Sequence, residues 1–295
     1  MNIGFIGLGV MGNPMAQNLQ RSGRHQLSVF DLDPRRCDEL ERLGARRAAS
    51  IGEAIEAAEV VMTSLPGPRQ IEAVGLGDDG LLARMQPGSV WIDLSTNDLP
   101  VAAKIRQAAQ VAGIDILDAP VSGGDEGARA GNLTILVGGE KKVFERYSTV
   151  IETIGARIDL LGPHGAGYAA KIAQVVLCYL NSLALSEALM LGVKGGVAPR
   201  QMLDIIQNST GRSYAADRYG PPILDGDYDP SFTVGLAHKD MKLAGEMAQS
   251  LGIQLPLCEL TTATYARAIE AYGFGANHLK AVRLLEEDNQ TFLQA

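Results

Sequence analysis

Cysteine is scarce in this sequence: Cys37, Cys178 and Cys258 are the three present in 295 residues. They are odd in number and far apart, which excludes a disulfide framework and any metal-ligand spacing and fits a reducing compartment. Basic residues are also in short supply. Lysine and arginine total 26 against 34 acidic residues, for a net charge of −8. A chain with no basic excess has no electrostatic footprint for a polyanion, so nucleic acid is excluded as a partner. Long apolar runs are missing as well. The charge-free stretch from Ile172 to Ser186 is short and carries Gln174, Asn181 and Ser182, so no membrane span is expected. The N-terminus has no basic region, and glycines interrupt its apolar run, so it does not read as a secretory signal. His164, His238 and His278 show no metal spacing, and no Ser-His-Asp or Cys-His arrangement is readable. Repeats and low-complexity tracts are absent.

What remains is an ordinary globular composition, 46% hydrophobic and 20% charged, with length enough for two domains. The first half alternates short apolar runs with helical stretches. Strands are expected at Ile3 to Ile6, Leu27 to Phe30, Val60 to Ser64, Ser89 to Asp93, Asp115 to Asp118, Leu133 to Val137 and Arg157 to Leu161. Helices are expected past Gly12, at Pro34 to Leu43, Glu53 to Ala58 and Leu99 to Val111. Such alternation means βαβ units and a mostly parallel, doubly wound sheet. The pattern changes near Gly162-Pro163-His164-Gly165. Beyond it no good strand appears. One long helix, Gly167 to Val193, is apolar on nearly every face, which suits burial in a larger assembly. Helices follow at Pro199 to Gln207, Val234 to Leu251, Leu257 to Tyr272 and Asn277 to Glu287, parted by turns such as Gly220-Pro221-Pro222 and Asp225-Gly226-Asp227. The expected architecture is therefore an α/β, doubly wound (Rossmann-type) domain over residues 1–163. An all-α domain over 164–295 begins with the long helix.

The polar motifs fall at strand ends. The first strand breaks into Gly7-Leu8-Gly9-Val10-Met11-Gly12, and Met15, Ala16 and Leu19 then follow at helical spacing. Strand, glycine turn and helix together make a dinucleotide fingerprint. Gly7 allows the tight turn, Gly9 the close approach of a pyrophosphate, and Gly12 the close packing of helix on strand. The helix N-terminus offers unpaired N–H groups to phosphate. Asp31 closes the second strand, where a carboxylate accepts ribose hydroxyls and repels a 2′-phosphate; this favours NAD over NADP. Arg35 and Arg36 lie close by and could serve a 2′-phosphate instead. Leu65-Pro66-Gly67, Asp93-Leu94-Ser95-Thr96 and Pro120-Val121-Ser122-Gly123-Gly124 follow later strands. Ser122, Gly123 and Gly124 offer N–H groups suited to a carboxylate, or form a plain turn.

Lys171 stands at the start of the long apolar helix, the only cation between Arg157 and Lys194. A lysine there either has chemistry to do, its pKa lowered by desolvation, or packs its stem while its head reaches water. Gln174 follows three residues later on the same helix face. Lys239-Asp240 opens another amphipathic helix and by itself reads as a surface pair. Arg212-Ser213-Tyr214 and Tyr168 read as packing residues.

Taken in order, these motifs resemble the β-hydroxyacid dehydrogenase family of 3-hydroxyisobutyrate dehydrogenase, tartronate semialdehyde reductase and 6-phosphogluconate dehydrogenase. The resemblance spans nearly the whole chain. Gly7 to Gly12 with Met15-Ala16 and Asn18-Leu19 is similar to the family's cofactor signature. Asp93 to Thr96 is similar to its DxST loop. Asp118 to Gly124, continued through Gly131-Asn132-Leu133-Thr134, is similar to its substrate signature. Gly165-Ala166-Gly167 with Lys171 is similar to the catalytic-lysine motif, and Phe232, Leu236 and Lys239-Asp240 to a late lysine motif. The resemblance implies oxidation of a small β-hydroxy acid to its semialdehyde, or the reverse, with NAD as cofactor and no metal. It implies Lys171 as general acid and base, and Ser122, Gly123, Gly124 and Gln174 at the substrate. It places Leu65, Pro66, Ser95, Thr96 and Lys239 beside the cofactor. It implies a homodimer or homotetramer with the long helix in its interface, while the cysteine usage fits the cytoplasm. The chain departs from the pattern at Gln174 and Val175, where the family carries asparagine and often a second amide, so the pocket is altered there. That departure leaves an imine or other carbonyl reductase as an alternative, and a catalytically silent dinucleotide-binding module as a remote one.

Overall fold

The computed structural model describes residues 1–226 and 232–294. Asp227, part of an expected turn, and Ala295 lie outside the described residues. The chain divides into two compact units, Met1–Lys171 and Ile172–Ala295.

The first unit is built on a sheet of nine strands. These are β1 (Asn2–Ile6), β2 (Gln26–Phe30), β3 (Arg46–Arg47), β4 (Val60–Thr63), β5 (Val90–Asp93), β6 (Asp115–Asp118), β7 (Val121–Ser122), β8 (Leu133–Gly139) and β9 (Gly155–Gly162). Their order is β3-β2-β1-β4-β5-β6-β8-β7, with β9 paired to β8. All pairs from β3 to β6 are parallel. β8 runs antiparallel to β6 and β7 and parallel to β9. Its helices are α1 (Gly12–Arg21), α2 (Asp38–Arg42), α3 (Ile51–Ile55), α4 (Pro68–Leu76), α5 (Leu81–Arg84), α6 (Leu99–Ala112), α7 (Gly124–Ala130) and α8 (Lys141–Ile151).

Period-2 patterning explains how the sheet is covered. In β4 and β5 every residue is buried. Val60, Met62, Val90 and Ile92 face one apolar cluster with Phe5, Met15 and Leu19. Val61 and Trp91 face the other with Ile55, Ile71 and Ile105. A strand buried on both faces reads as a continuous apolar run, and each such side chain contributes roughly 1.5–3 kcal/mol. The strand order reverses at β1, which lies between β2 and β4. Loops that leave the carboxyl ends there diverge and open a crevice. α6 starts where the Asp98 carboxylate accepts the Val101 N–H at 2.7 Å, an N-cap that frees the Ser95-Thr96 loop from carrying the helix end.

Several elements depart from the sequence expectation. The Pro34 stretch starts as a single 3-10 turn, Pro34–Cys37, before α2. α4, α5, α7 and α8 occupy stretches with no expected helix.

The second unit contains the remainder of α9 (Ala166–Lys194), then α10 (Pro199–Gln207), α11 (Tyr214–Arg218), α12 (Gly220–Asp225), α13 (Val234–Leu251), α14 (Pro256–Tyr272) and α15 (Lys280–Asp288). Among its described residues there is no strand, only an isolated bridge between Thr233 and Asn277. Ile172, Val176 and Tyr179 of α9 pack with Met241 and Tyr265. Leu185 and Leu189 pack with Leu203, Ile223, Val282 and Leu293. α9 is longer than the charge-free stretch suggested, and by length and composition alone it could cross a membrane. One stripe of it is exposed, including Ala173, Leu177, Ala184, Ala188 and Leu191.

Candidate active site

The glycine turn after β1 is shaped by two close approaches. A Cβ on Gly12 would lie 2.0 Å from the Gly7 carbonyl oxygen, and one on Gly7 would lie 2.3 Å from that of Ser64. Gly7 also has φ +91°, a left-handed conformation that side chains resist. Gly9 is different. A Cβ there would meet only the Arg36 Nη1, at 3.7 Å. The space over Gly9 is therefore a cradle left open on the ligand side, which fits a pyrophosphate resting on backbone. Val10, next along, is exposed.

Asp31 is fixed at the end of β2. One oxygen accepts the Leu8 N–H at 2.7 Å, and the other accepts the Asp33 N–H at 2.9 Å. Arg36 Nη1 stands 3.7 Å from the same carboxylate. Arg35 is turned away and makes a forked pair with Asp33 at 2.9 and 3.0 Å.

At the ends of β4 and β5 a buried carboxylate gathers hydroxyls. Asp93 accepts from Thr63 Oγ1 at 2.6 Å, from Ser95 Oγ at 2.6 Å and from Tyr168 OH at 2.7 Å. Thr63 in turn accepts the Trp91 indole N–H at 2.8 Å, and Ser95 Oγ accepts the Leu65 N–H at 2.8 Å. Burial raises the Asp93 carboxyl above its ordinary range, and the three hydroxyl donors oppose that shift. Asn97 is fully buried beside the Tyr168 hydroxyl. The Leu65 and Ser95 loops are thus held to each other. Thr96 is half-buried, and Pro66 is exposed.

Asp118, at the end of β6, takes the start of α9. Its oxygens accept the Gly165 N–H at 2.8 Å and the Tyr168 N–H at 3.0 Å. A Cβ on Gly167 would fall 2.2 Å from the Leu136 carbonyl and 2.7 Å from the Asp118 Oδ2, so only glycine lets the helix start lie this close to β8. Burial pushes the Asp118 carboxyl up to about 6, against the pull of those N–H groups. His164 lies with Nε2 4.0 Å from Asp118 and its ring edge-on to Tyr168. Burial, helped by the charge of Arg106, pulls the His164 imidazole down to about 4. Lys171 is half-buried and lies three residues beyond Tyr168 in the same helix.

Ser122 is not in a loop: it ends β7, paired with Thr134. Gly123 and Gly124, with φ +133° and +64°, turn the chain into α7, and both are exposed. Gln174 and Lys239 belong to the second unit. Gln174 is exposed on α9, whereas Val175 is buried in the helical core. Lys239 Nζ pairs with Asp240 at 3.1 Å, and Asp240 also accepts the Tyr179 hydroxyl at 3.0 Å. Tyr168 is indeed a packing residue, but its hydroxyl ties two strand-end motifs together. Asp93 and Asp118 were named in the sequence only as members of motifs. The signal that marks them is a carboxylate closing a run of buried apolar residues. Among the described residues no cluster of histidine, cysteine and carboxylates could hold a metal.

The chain resembles known proteins over nearly its whole length. Residues 2–162 match the family model described as the NAD binding domain of 6-phosphogluconate dehydrogenase. Residues 165–285 match the one described as NAD-binding of NADP-dependent 3-hydroxyisobutyrate dehydrogenase. The 3-hydroxyisobutyrate dehydrogenase of Pseudomonas aeruginosa is 42% identical over 264 residues, covering 87% of this chain and 88% of that protein. The chain belongs to the β-hydroxyacid dehydrogenase family. It is an oxidoreductase with a nicotinamide-cofactor fold. The NAD-dependent L-serine dehydrogenase of the same organism is 37% identical over 295 residues, with 98% of each covered. Among solved structures, a Mycobacterium tuberculosis 3-hydroxyisobutyrate dehydrogenase determined with L-serine superposes with TM-score 0.89 at 30% identity, over 96% of this chain and 98% of that one.

Proposed function

We propose that this protein oxidises a small β-hydroxy acid to its semialdehyde, or runs the reverse reduction, with NAD preferred and Lys171 moving the proton. The observation that carries the proposal is the placement of Lys171. It follows directly on a helix start that Asp118 and Tyr168 tie to the carboxyl ends of β5 and β6, the edge where an open α/β sheet binds its ligand. The bound nicotinamide supplies hydride transfer to or from the carbon that bears the oxygen. In oxidation the Lys171 amine takes the hydroxyl proton; in reduction the ammonium returns it and stabilises the developing alkoxide. Ser122, Gly123 and Gly124 hold the substrate carboxylate, and Gln174 contributes an amide to substrate binding. Gly7 to Gly12 cradle the pyrophosphate, and Leu65, Pro66, Ser95, Thr96 and Lys239 flank the rest of the cofactor. The functional division moves from the sequence boundary at 163/164 to the end of the first compact unit at Lys171, so that the start of α9 serves the cofactor domain.

The preference for NAD rests on the fixed Asp31. Both of its oxygens already accept backbone N–H groups, so the carboxylate is not free to swing aside for a 2′-phosphate. Arg35 is occupied with Asp33. The assembly is a homodimer or homotetramer in the cytoplasm. In support, Ala173, Leu177, Ala184, Ala188 and Leu191 share one face of α9 and are exposed, an apolar stripe that a second copy would cover.

The test is a cofactor-reduction screen over 3-hydroxyisobutyrate, L-serine and other short β-hydroxy acids, with NAD and NADP in parallel. Turnover is expected with NAD at the higher kcat/KM, and Lys171→Ala is expected to lose at least about 100-fold in kcat. Near wild-type turnover in Lys171→Ala would remove the mechanism, and a higher kcat/KM with NADP would remove the cofactor assignment.

A further inference from the structure

We propose that Asp118 and Tyr168 are positioning residues for the reaction, a two-point clamp that sets Lys171 against the cofactor edge of the sheet. The proposal rests on Lys171 as the proton-transfer residue. Three observations carry it.

First, the clamp grips the backbone where α9 begins. The first N–H groups of a helix have no partner within it. Here Asp118 takes those of Gly165 and Tyr168 from a strand 47 and 50 residues away in sequence. A carboxylate at this end also meets the positive pole of the helix dipole. Gly167 makes the grip close, since a Cβ there would overlap both Asp118 and Leu136.

Second, the other jaw reaches the cofactor loops. Tyr168 OH donates to Asp93, whose other oxygen holds the Ser95 and Thr63 hydroxyls, and Ser95 holds the Leu65 N–H. Leu65 and Ser95 are on the loops proposed to flank the cofactor. A single buried chain of hydrogen bonds therefore runs from those loops to the residue one helical turn before Lys171.

Third, the arrangement is costly for mere packing. Two carboxylates are buried within one small region, Asp93 at 3% exposure and Asp118 at 0%. Apolar residues of equal volume in such places are often as stable or better. What the pair adds is a fixed register between helix start and strand ends, and a misplacement of about 1 Å at a reacting group costs about 100-fold in rate.

The experiment uses the full chain with Tyr168→Phe, Asp118→Asn, Asp118→Ala and Lys171→Ala side by side. Tyr168→Phe is nearly isosteric and removes only the hydroxyl, with its bonds to Asp93 and Asn97. Its kcat is expected to fall about 10- to 100-fold, with substrate KM and NADH affinity within about twofold and the kinetic pKa of the proton-transfer step displaced. The Asp118 series is expected to grade, Asn retaining more kcat than Ala because it keeps one acceptor. A purely structural role would lower the melting temperature while the folded enzyme kept its kcat and pH profile; that result in Tyr168→Phe overturns the clamp. If Lys171→Ala is inactive while Tyr168→Phe and both Asp118 variants match the wild type, the clamp fails and the role of Lys171 stands. If Lys171→Ala is active, the role of Lys171 fails and the clamp with it.

Discussion

Asp118 and His164 should cancel each other in the pH dependence of stability, and removing either should expose the other. The Asp118 carboxyl is raised from 3.8 to about 6 in the folded protein. A raised folded value means that its contribution is complete below pH 3.8 and is lost as pH climbs through 6. At 1.36 kcal/mol per unit the loss is about 3 kcal/mol. The His164 imidazole is lowered from 6.5 to about 4. Its contribution is complete above 6.5 and is lost as pH falls through 4, again about 3 kcal/mol. Over the same window the two slopes oppose each other, so the wild type shows little net change from this pair. In Asp118→Asn the stability relative to wild type should rise by about 3 kcal/mol from pH 4 to 6.5. In His164→Phe, which keeps a ring against Tyr168, it should fall by about the same amount. Urea titrations read by tryptophan fluorescence are the assay. Trp91 is the one tryptophan, and it sits in the first unit's core, so the signal reports the unit that holds both groups and satisfies a two-state analysis better than a whole-chain probe. Difference curves that are both flat within about 1 kcal/mol, or that slope in the same direction, would refute the reasoning.

Two further outcomes follow from packing. Gly12→Ala places a methyl 2.0 Å from the Gly7 carbonyl oxygen, so the turn must open and NADH affinity, read by fluorescence titration on protein shown folded by circular dichroism, should drop at least about 100-fold; wild-type affinity would sink the assignment of this loop. Leu293 is fully buried and its N–H is held by Glu286 at 2.8 Å, so Leu293→Ala should cost about 2–5 kcal/mol in chemical denaturation, and a loss below about 1 kcal/mol would show that the C-terminal segment is not part of the helical core.

The glycine turn, Asp31 and the strands β1, β2, β4, β5 and β6 were legible because their signals are local. A buried parallel strand is a short apolar run closed by a polar residue, and a fingerprint is a spacing. The helices missed by the sequence reading fall into two kinds. α8 carries Val143, Tyr147, Val150 and Ile151 on its buried side, and α4 carries Ile71 and Gly75, regular spacings that the sequence displays. α5, α7, α11 and α12 are four to seven residues long. Helices that short have no intrinsic stability and exist by packing alone. Ser122 lies in a strand rather than a plain turn for a related reason: the strand is two residues long and forms only because β8 lies beside it.

The clamp was illegible for a stronger reason. Asp93, Asp118 and Tyr168 stand 25 and 50 residues apart, and each looks ordinary in its own motif. Only the parallel register of β5 on β6, which pairs Asp93 with Asp118, sets the two carboxylates side by side at the strand ends. Only the α9 start then offers N–H groups to one and a hydroxyl to the other. The same geometry explains why residues 163–171 group with the first unit rather than with the helices that follow. The sequence changes character at Gly162, but the hydrogen bonds do not. Gly165, Gly167 and Tyr168 are committed to β5, β6 and β8, and the first residue of α9 to join the helical core is Ile172. Lys171 is thus the last residue of the unit that carries the cofactor loops. Under the proposed mechanism, chemistry that needs a proton and a hydride within about 3 Å of one another is served by carrying Lys171 in the same compact unit as the glycine turn and the strand-end loops.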